Sequence, residues 1–149
     1  MTDIGFYHLL TTPLERALPK LLERVLEKGG RAVVLAGSDE RVEALSAALW
    51  TYDPNAFLPH GDPRDGRPEE QPIWLTVVDE NPNGANVLIL TDGAESSHVG
   101  GFEKCLDVFD GSDAEAVAAG RERWRRHQGA GHRLTYWQQD AQGRWEKKA

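Results

Sequence analysis

An arginine-rich segment near the end of the chain is the most concentrated group of chemically active side chains. Between positions 121 and 133 the only acid is Glu122. The segment carries a formal charge of about +4, which leaves about −11 on the other residues of a chain whose net charge is −7. Guanidinium groups bind carboxylates through two parallel hydrogen bonds, so the segment favours an anionic ligand. Its arginines are Arg121, Arg123, Arg125, Arg126 and Arg133.

Helical spacing brings Trp124 together with two of these arginines. Arg121 and Arg125 are four residues apart and Trp124 is three from Arg121, so two guanidinium groups flank one indole on a helix. This surface suits an acidic peptide that ends in a hydrophobic residue. Two alternatives remain open. The cations stabilise the C-terminal end of the helix dipole while Trp124 packs inward along the stripe of Val117, or Trp124 stacks on single-stranded nucleic acid, which the acidic remainder of the chain disfavours.

The turns before the first two predicted helices lack the features of a phosphate-binding loop. The first turn, residues 10–13, contains no glycine. In the second, Gly37 and Ser38 are followed by Asp39 and Glu40, which repel phosphate at a helix N-terminus. No P-loop or dinucleotide-binding fingerprint occurs. We therefore predict no nucleotide site.

Other reactive side chains do not form a catalytic or metal-binding pattern. Ser96 and Ser97 adjoin His98, but a catalytic triad needs a base that reaches the hydroxyl across space. Cys105 lies in an apolar strand and is expected to be a buried, inert thiol. We predict no catalytic residue, no cofactor and no metal site, and a small α/β enzyme or nucleotide-binding domain remains the alternative. The five histidines show no ligand spacing: His8, His60, His98, His127 and His132.

Alternating strand and helix patterns predict a three-layer, Rossmann-like α/β domain with a mostly parallel sheet flanked by helices. Thr12 is expected to cap the first helix, and Pro19 to kink it or delay its start. Ser38 is expected to cap the second helix. Strands are predicted at 4–10, 32–36, 87–90 and 104–109, with 73–78 as a strand or helical turn and 134–138 as a further candidate. The last helix is predicted at about 114–127.

Prolines and glycines between residues 53 and 72 predict a long loop around a Phe57-Leu58 hydrophobic anchor. The acids of this loop are expected to be solvated: Asp62, Asp65, Glu69 and Glu70.

The composition fits one domain over residues 1–149. A single cysteine favours a reducing compartment, and no apolar run approaches the ~20 residues that span a bilayer. We expect a cytoplasmic protein that does not contact membranes and is monomeric alone.

The ordered motifs of the chain resemble the chi subunit family of bacterial DNA polymerase III. The resemblance covers nearly the whole chain, and four short segments carry it: Phe6-Tyr7, Ala47-Ala48-Leu49-Trp50, Phe57-Leu58-Pro59-His60 and Arg121-Glu122-Arg123-Trp124-Arg125. It implies a bacterial, non-catalytic subunit that links the clamp loader, through the psi subunit, to single-stranded DNA-binding protein (SSB). Contact with DNA is then indirect, through SSB.

The resemblance also assigns residues to the SSB tail, which is acidic and ends in proline and phenylalanine. It implies that Arg121 and Arg125 pair with tail carboxylates, that Trp124 stands where the family has an aromatic residue, and that Phe109 lines a pocket for the terminal phenylalanine. Val117 departs from the family, which often has a basic residue there. The departure weakens the tail site or shifts its electrostatic role to Arg123, Arg126 or Arg133.

A second partner surface is implied at Trp50 and Phe57, with Pro59 and His60 beside them. The resemblance leaves open whether this partner is psi, an accessory helicase or the clamp loader itself. Two exposed aromatic rings beside a proline-rich loop fit such a surface. The alternative is that both rings fill the edge of the core.

Overall fold

Seven strands and three α-helices form the domain in a computed structural model that describes all 149 residues. In chain order the elements are β1 (Asp3–Leu9), α1 (Leu14–Glu27), β2 (Ala32–Leu35), α2 (Asp39–Thr51), β3 (Ile73–Thr76), β4 (Val87–Thr91), β5 (Lys104–Asp110), α3 (Ala114–Gly129), β6 (Arg133–Gln139) and β7 (Trp145–Lys147). Short 3₁₀ turns occur at Pro68–Glu70 and Val99–Gly101.

The strands form one sheet in the order β3-β2-β4-β5-β1-β6-β7. All neighbours pair in parallel except β6 and β7. Alternating side chains of the strands supply two apolar clusters, one on each face of the sheet. α1 and α2 pack on one face, and α3 packs on the other. The predicted three-layer α/β architecture is confirmed.

The register of the central strands decides which side chains meet α3. Phe6 of β1 lies beside Asp107 of β5 and Tyr136 of β6. Two residues further along, His8 lies beside Phe109. Because side chains alternate between the faces of a strand, these residues all point toward the face that α3 covers. The register thus assembles the floor beneath the basic helix.

The start of α1 differs from its prediction. Pro13 is the N-cap residue, with no side-chain cap, and α1 begins at Leu14. The expectation that Thr12 caps this helix is wrong, because the Thr12 hydroxyl instead accepts a hydrogen bond from Nε2 of Gln139 at 2.7 Å. The later start agrees with the constraint expected from Pro19, which lies inside the helix. Ser38 caps α2 as predicted, since its hydroxyl oxygen accepts from the Arg41 N–H at 3.2 Å.

The proline-rich loop has a different anchor from the predicted one. Leu58 is buried, but Phe57 is 67% exposed, so of the two residues only Leu58 is an anchor to the core. The solvated state predicted for Asp62 is also wrong: its side chain is inaccessible and accepts from Nη2 of Arg64 at 2.7 Å. These hydrogen bonds hold the pKa of Asp62 below its usual value. Backbone pairing of Gly61 with the strand around Trp74 covers the outer edge of β3.

None of the helices is long and apolar enough to cross a lipid bilayer.

The sequence patterns located all strands but β7, whose residues carry too many charges to show an apolar run.

Candidate protein-binding surfaces

α3 is fixed at its first turn and at its middle by short-range contacts. The carboxylate of Asp113 accepts from the Glu115 N–H at 3.0 Å, which caps the helix. In the middle of the helix, Gly120 is buried against the sheet. A Cβ at Gly120 would lie 3.6 Å from the Phe109 ring, so the helix packs directly over that ring. Phe109 itself is 4% exposed and forms the floor of the surface.

A buried ion pair joins α3 to the sheet. Nε of Arg123 donates to Asp107 at 2.6 Å and Nη2 donates at 3.0 Å, and both side chains are almost inaccessible. Burial raises the pKa of the Asp107 carboxyl, and the Arg123 guanidinium opposes that shift. Arg123 is therefore unable to replace the charge absent at Val117. The pair instead sets the rotation of α3 and the direction of its exposed arginines.

Arg121 differs from the other arginines of the segment in its pairing. Arg125 forms an ion pair with Glu122, and Arg126 forms one with Glu95. Arg133 lies 3.6 Å from Asp3. Arg121 is exposed and makes no ion pair within the chain. It is the cation of α3 whose hydrogen-bonding capacity is most available to a ligand.

Aromatic side chains of the sheet pack around Trp124, one turn along α3 from Arg121. Trp124 packs edge-on against Phe6, with ring centroids 5.3 Å apart, and lies 5.9 Å from Tyr136. Trp124 is half-buried, so the inward packing considered above is correct, although part of the indole stays accessible. His8 contacts the ring of Tyr136 and its Nδ1 lies 2.5 Å from the Tyr136 hydroxyl.

Arg121 acts electrostatically on these same groups. Burial, together with the Arg121 charge, lowers the pKa of His8. Burial raises the pKa of Tyr136, and Arg121 opposes that shift. The Arg121 charge is thus near enough to His8 and Tyr136 to affect both pKa values. The sequence did not predict His8 and Tyr136 as part of this surface. Alternation of side chains along β1 and β6 indicates which face each residue occupies, but their proximity follows only once the two strands are known to be neighbours.

The second surface is an exposed aromatic pair at the end of α2. Trp50 is 59% exposed and Phe57 is 67% exposed, and their ring centroids are 5.8 Å apart. The alternative that both rings fill the edge of the core is wrong. Pro59 is partly exposed beside them.

His60 supports this pair from below. It is 7% exposed, and its ring lies 4.8 Å from that of Trp50. Nδ1 of His60 lies 2.7 Å from the Leu58 carbonyl oxygen, and Nε2 lies 3.3 Å from the Ser46 hydroxyl. The structure therefore places His60 as a support for the indole, with little surface of its own for a partner.

Comparison with known proteins decides the family. The model of the family described as DNA polymerase III chi subunit, HolC, matches residues 1–135. The chain belongs to this chi subunit family. It is also similar to a protein from Rickettsia prowazekii (strain Madrid E) named probable DNA polymerase III subunit chi, with 29% identity over 109 residues. That match covers 73% of the chain and 66% of the relative, so the chain spans just under two thirds of the relative's length.

The serine and histidine neighbours of this chi-family chain do not form a nucleophile and base. Ser96 donates to Asp79 at 2.5 Å, and Nδ1 of His98 lies 3.0 Å from the same carboxylate. Burial opposes ionisation of Asp79, but the hydrogen bonds from Ser96, Ser97 and His98 hold its pKa at about 2. Asp79 thus organises a loop. Cys105 is fully buried as expected, and burial raises the pKa of its thiol.

A cavity of about 780 Å³ lies at the carboxyl ends of the strands, where nucleotide-binding α/β folds hold their ligand. In this chi-family chain the lining is acidic, with Glu15, Asp92 and Asp110 among its residues. Arg41 also lines it, but its guanidinium binds Glu15 at 2.5 Å and Asp92 at 3.0 Å. The cavity offers phosphate no unpaired cation.

The first crossover turn of the chi-family chain is bound by a side chain from the far end of the sequence. Oε1 of Gln139 accepts from the backbone N–H groups of Leu10, Thr11 and Thr12 at 2.9, 2.9 and 3.1 Å. Gln139 is 3% exposed. In nucleotide-binding relatives of this architecture, turn and helix N-terminal N–H groups of this kind bind phosphate.

Proposed function

We propose that the chain is a non-catalytic accessory subunit of DNA polymerase III that links the clamp loader to SSB. In this proposal α3 binds the acidic C-terminal tail of SSB, and the Trp50–Phe57 surface binds psi or an accessory helicase. The observation that carries the proposal is Arg121 itself, an exposed guanidinium with no ion pair in the chain, three residues along α3 from the half-buried Trp124. The family membership supports the same function.

The α3 surface has the chemistry that the SSB tail requires. Arg121 binds the terminal carboxylate through two parallel hydrogen bonds. The terminal phenylalanine packs against the accessible part of Trp124 and the rings of Tyr136 and His8, above Phe109. Arg125 shares its charge with Glu122, so its contribution is smaller. With Val117 neutral, Arg121 supplies most of the local attraction.

The test of the tail site is a fluorescence-anisotropy titration of a labelled SSB C-terminal peptide. Arg121→Ala removes a charge-assisted pair and is expected to weaken binding about 10- to 100-fold, which corresponds to roughly 1.5–3 kcal/mol. Arg16→Ala is the matched control, because Arg16 is an exposed cation on α1, across the sheet from α3. Equal binding by all three proteins, or none by the wild type at low salt, contradicts the tail site.

Nucleic acid is the competing ligand for α3, and salt distinguishes it. A naked oligonucleotide is expected not to bind, because the chain carries a net charge of −7. Oligonucleotide binding that falls steeply with salt and is lost in Arg121→Ala would instead make α3 a single-stranded DNA site.

The Trp50–Phe57 surface fits a protein partner because it exposes two large rings at one place. A few residues contribute most of the binding energy at protein interfaces, and aromatic side chains are enriched at such interfaces. Phe57→Ala is expected to weaken binding to purified psi or helicase by about 30-fold or more, measured by calorimetry. Val78→Ala is the matched control, because Val78 is 54% exposed outside this pair. Unchanged affinity in Phe57→Ala would exclude this surface.

Simultaneous binding of both partners is expected, because the two surfaces lie on opposite faces of the sheet. α2 packs on one face of the sheet and α3 on the other, with β2 and β3 at one end and β1 and β6 toward the other end. This separation suits an adaptor. We expect the SSB peptide affinity to be unchanged when the second partner is bound, which sequential titrations measure directly.

A further inference from the structure

A third surface lies on the sheet face opposite α3, between α1 and the hairpin of β6 and β7. It is a groove of about 1,140 Å³, which we call the α1–β7 groove. Tyr7 of β1 forms its floor, Trp137 and Trp145 form the hairpin wall, and Arg24 and Lys28 line the α1 wall. β7 lies outside the residues that the family model matches.

The aromatic side of the groove consists of three packed rings and is only partly buried. Trp137 stacks parallel to Tyr7, with ring centroids 6.3 Å apart and an interplanar angle of 9°. Trp145 meets Tyr7 edge-on at 5.0 Å. Tyr7 is buried, whereas both indoles are partly exposed. The groove therefore presents a preformed apolar wall that no helix of the chain covers.

Three unpaired cations lie beside that wall. Arg24, Lys28 and Lys104 are exposed and make no ion pair within the chain, whereas Lys20 pairs with Glu23 and Arg144 with Asp140. The three side chains line the same groove. Burial lowers the pKa of Lys104, and the positive charges of Lys28 and Arg24 lower it further. A bound anion would relieve this repulsion.

The groove also contains acids, and they limit which anion fits. Four acids line it together with the cations: Asp3, Glu23, Glu27 and Glu103. Asp3 raises the pKa of Lys104 and so partly offsets the cluster. A polyphosphate chain would meet these carboxylates along its length, in a protein whose net charge is −7. A ligand with a few localised negative charges and an apolar group avoids them.

We propose that the α1–β7 groove is a docking site for an acidic peptide segment that carries an aromatic or large aliphatic side chain. Its carboxylates bind Arg24, Lys28 and Lys104, and its apolar side chain packs on Trp145 and Trp137. The segment need not end there, because the positive charge of the groove is divided among several side chains. A chain with both sites holds two acidic segments on opposite sheet faces and gains avidity for a partner that carries several.

The test is a titration of labelled Ac-Glu-Asp-Phe-Asp-Leu-amide, whose blocked end removes the carboxylate that the α3 proposal requires. The double variant Arg24→Gln/Lys28→Gln is expected to weaken binding at least 10-fold, and both side chains are exposed, so the fold is retained. Arg16→Gln, on the same helix but outside the groove, is expected to bind as the wild type does.

Three outcomes overturn the proposal. The first is no wild-type binding up to about 1 mM peptide at low salt. The second is loss of binding in Arg121→Ala rather than in the double variant, which moves the peptide to α3. The third is that the groove binds an oligothymidylate and not the peptide, with the oligothymidylate binding lost in Arg24→Gln/Lys28→Gln. The SSB-tail titration with Arg121→Ala is read separately, so failure of either site leaves the other measurable.

Discussion

Removing Arg123 alone is expected to cost much more stability than removing any exposed arginine of α3. The Arg123→Met substitution keeps most of the side-chain volume but leaves the Asp107 carboxylate buried without its partner. Breaking a buried ion pair in this way costs about 3–5 kcal/mol. A domain of this kind has a total unfolding free energy of roughly 5–15 kcal/mol, so the loss is a large fraction of it. Urea unfolding, followed by tryptophan fluorescence, measures the change.

A double-mutant cycle separates the pair from its surroundings. Asp107→Leu/Arg123→Met replaces both charges by apolar groups and is expected to recover most of the loss, because no unpaired buried charge remains. Arg125→Met is the matched control; its exposed pair with Glu122 contributes at most about 1 kcal/mol. A loss below about 1 kcal/mol in Arg123→Met, or a double variant as unstable as the sum of the single ones, would refute the reasoning.

Three further predictions concern the surroundings of α3. The pKa of His127 is lowered from 6.5 by burial and by the nearby His132 and Arg126, so the unfolded chain takes up a proton at higher pH than the folded one. The unfolding free energy is therefore expected to fall as the pH decreases below about 6.5. Urea titrations at several pH values measure this fall, which is expected to be smaller in His127→Gln. Gly111→Ala places a Cβ against the His8 ring and the Leu9 carbonyl oxygen, and is expected to lower the unfolding free energy by about 1–3 kcal/mol. Gly120→Ala is expected to raise it by about 0.5–1 kcal/mol, because the new Cβ meets Phe109 at an ordinary contact distance within a helix; a thermal melt that ranks the two glycine variants in the opposite order contradicts both.

The parallel core of the sheet was predictable because buried strands have continuous apolar sequences. The runs at Val33 and Ile89 are short and rich in branched side chains, which favours a buried strand over a buried helix. β7 escaped prediction because its stability comes from pairing with β6 and from the contact of Trp145 with Tyr7. A three-residue strand with two charges has no periodicity of its own.

The binding surfaces were predictable only as far as side-chain exposure follows from local spacing. Spacing on a helix placed Arg121 and Arg125 together, and both are exposed. The same spacing could not show that Arg123 points inward to Asp107, because their contact spans two elements. Likewise the burial of Asp62 depends on Arg64 folding back over it, which composition does not reveal.

The hydrogen bonds of Gln139 make the turn between β1 and α1 depend on a residue that is synthesised much later. The N–H groups of residues 10–12 are synthesised before their partner, because the amide oxygen that binds all three belongs to a residue more than 120 positions later. Until β6 pairs with β1, that turn depends on water for its hydrogen bonds. In nascent chains that stop before Gln139, these three N–H groups therefore lack their protein partner. Addition of β6 to the sheet supplies it.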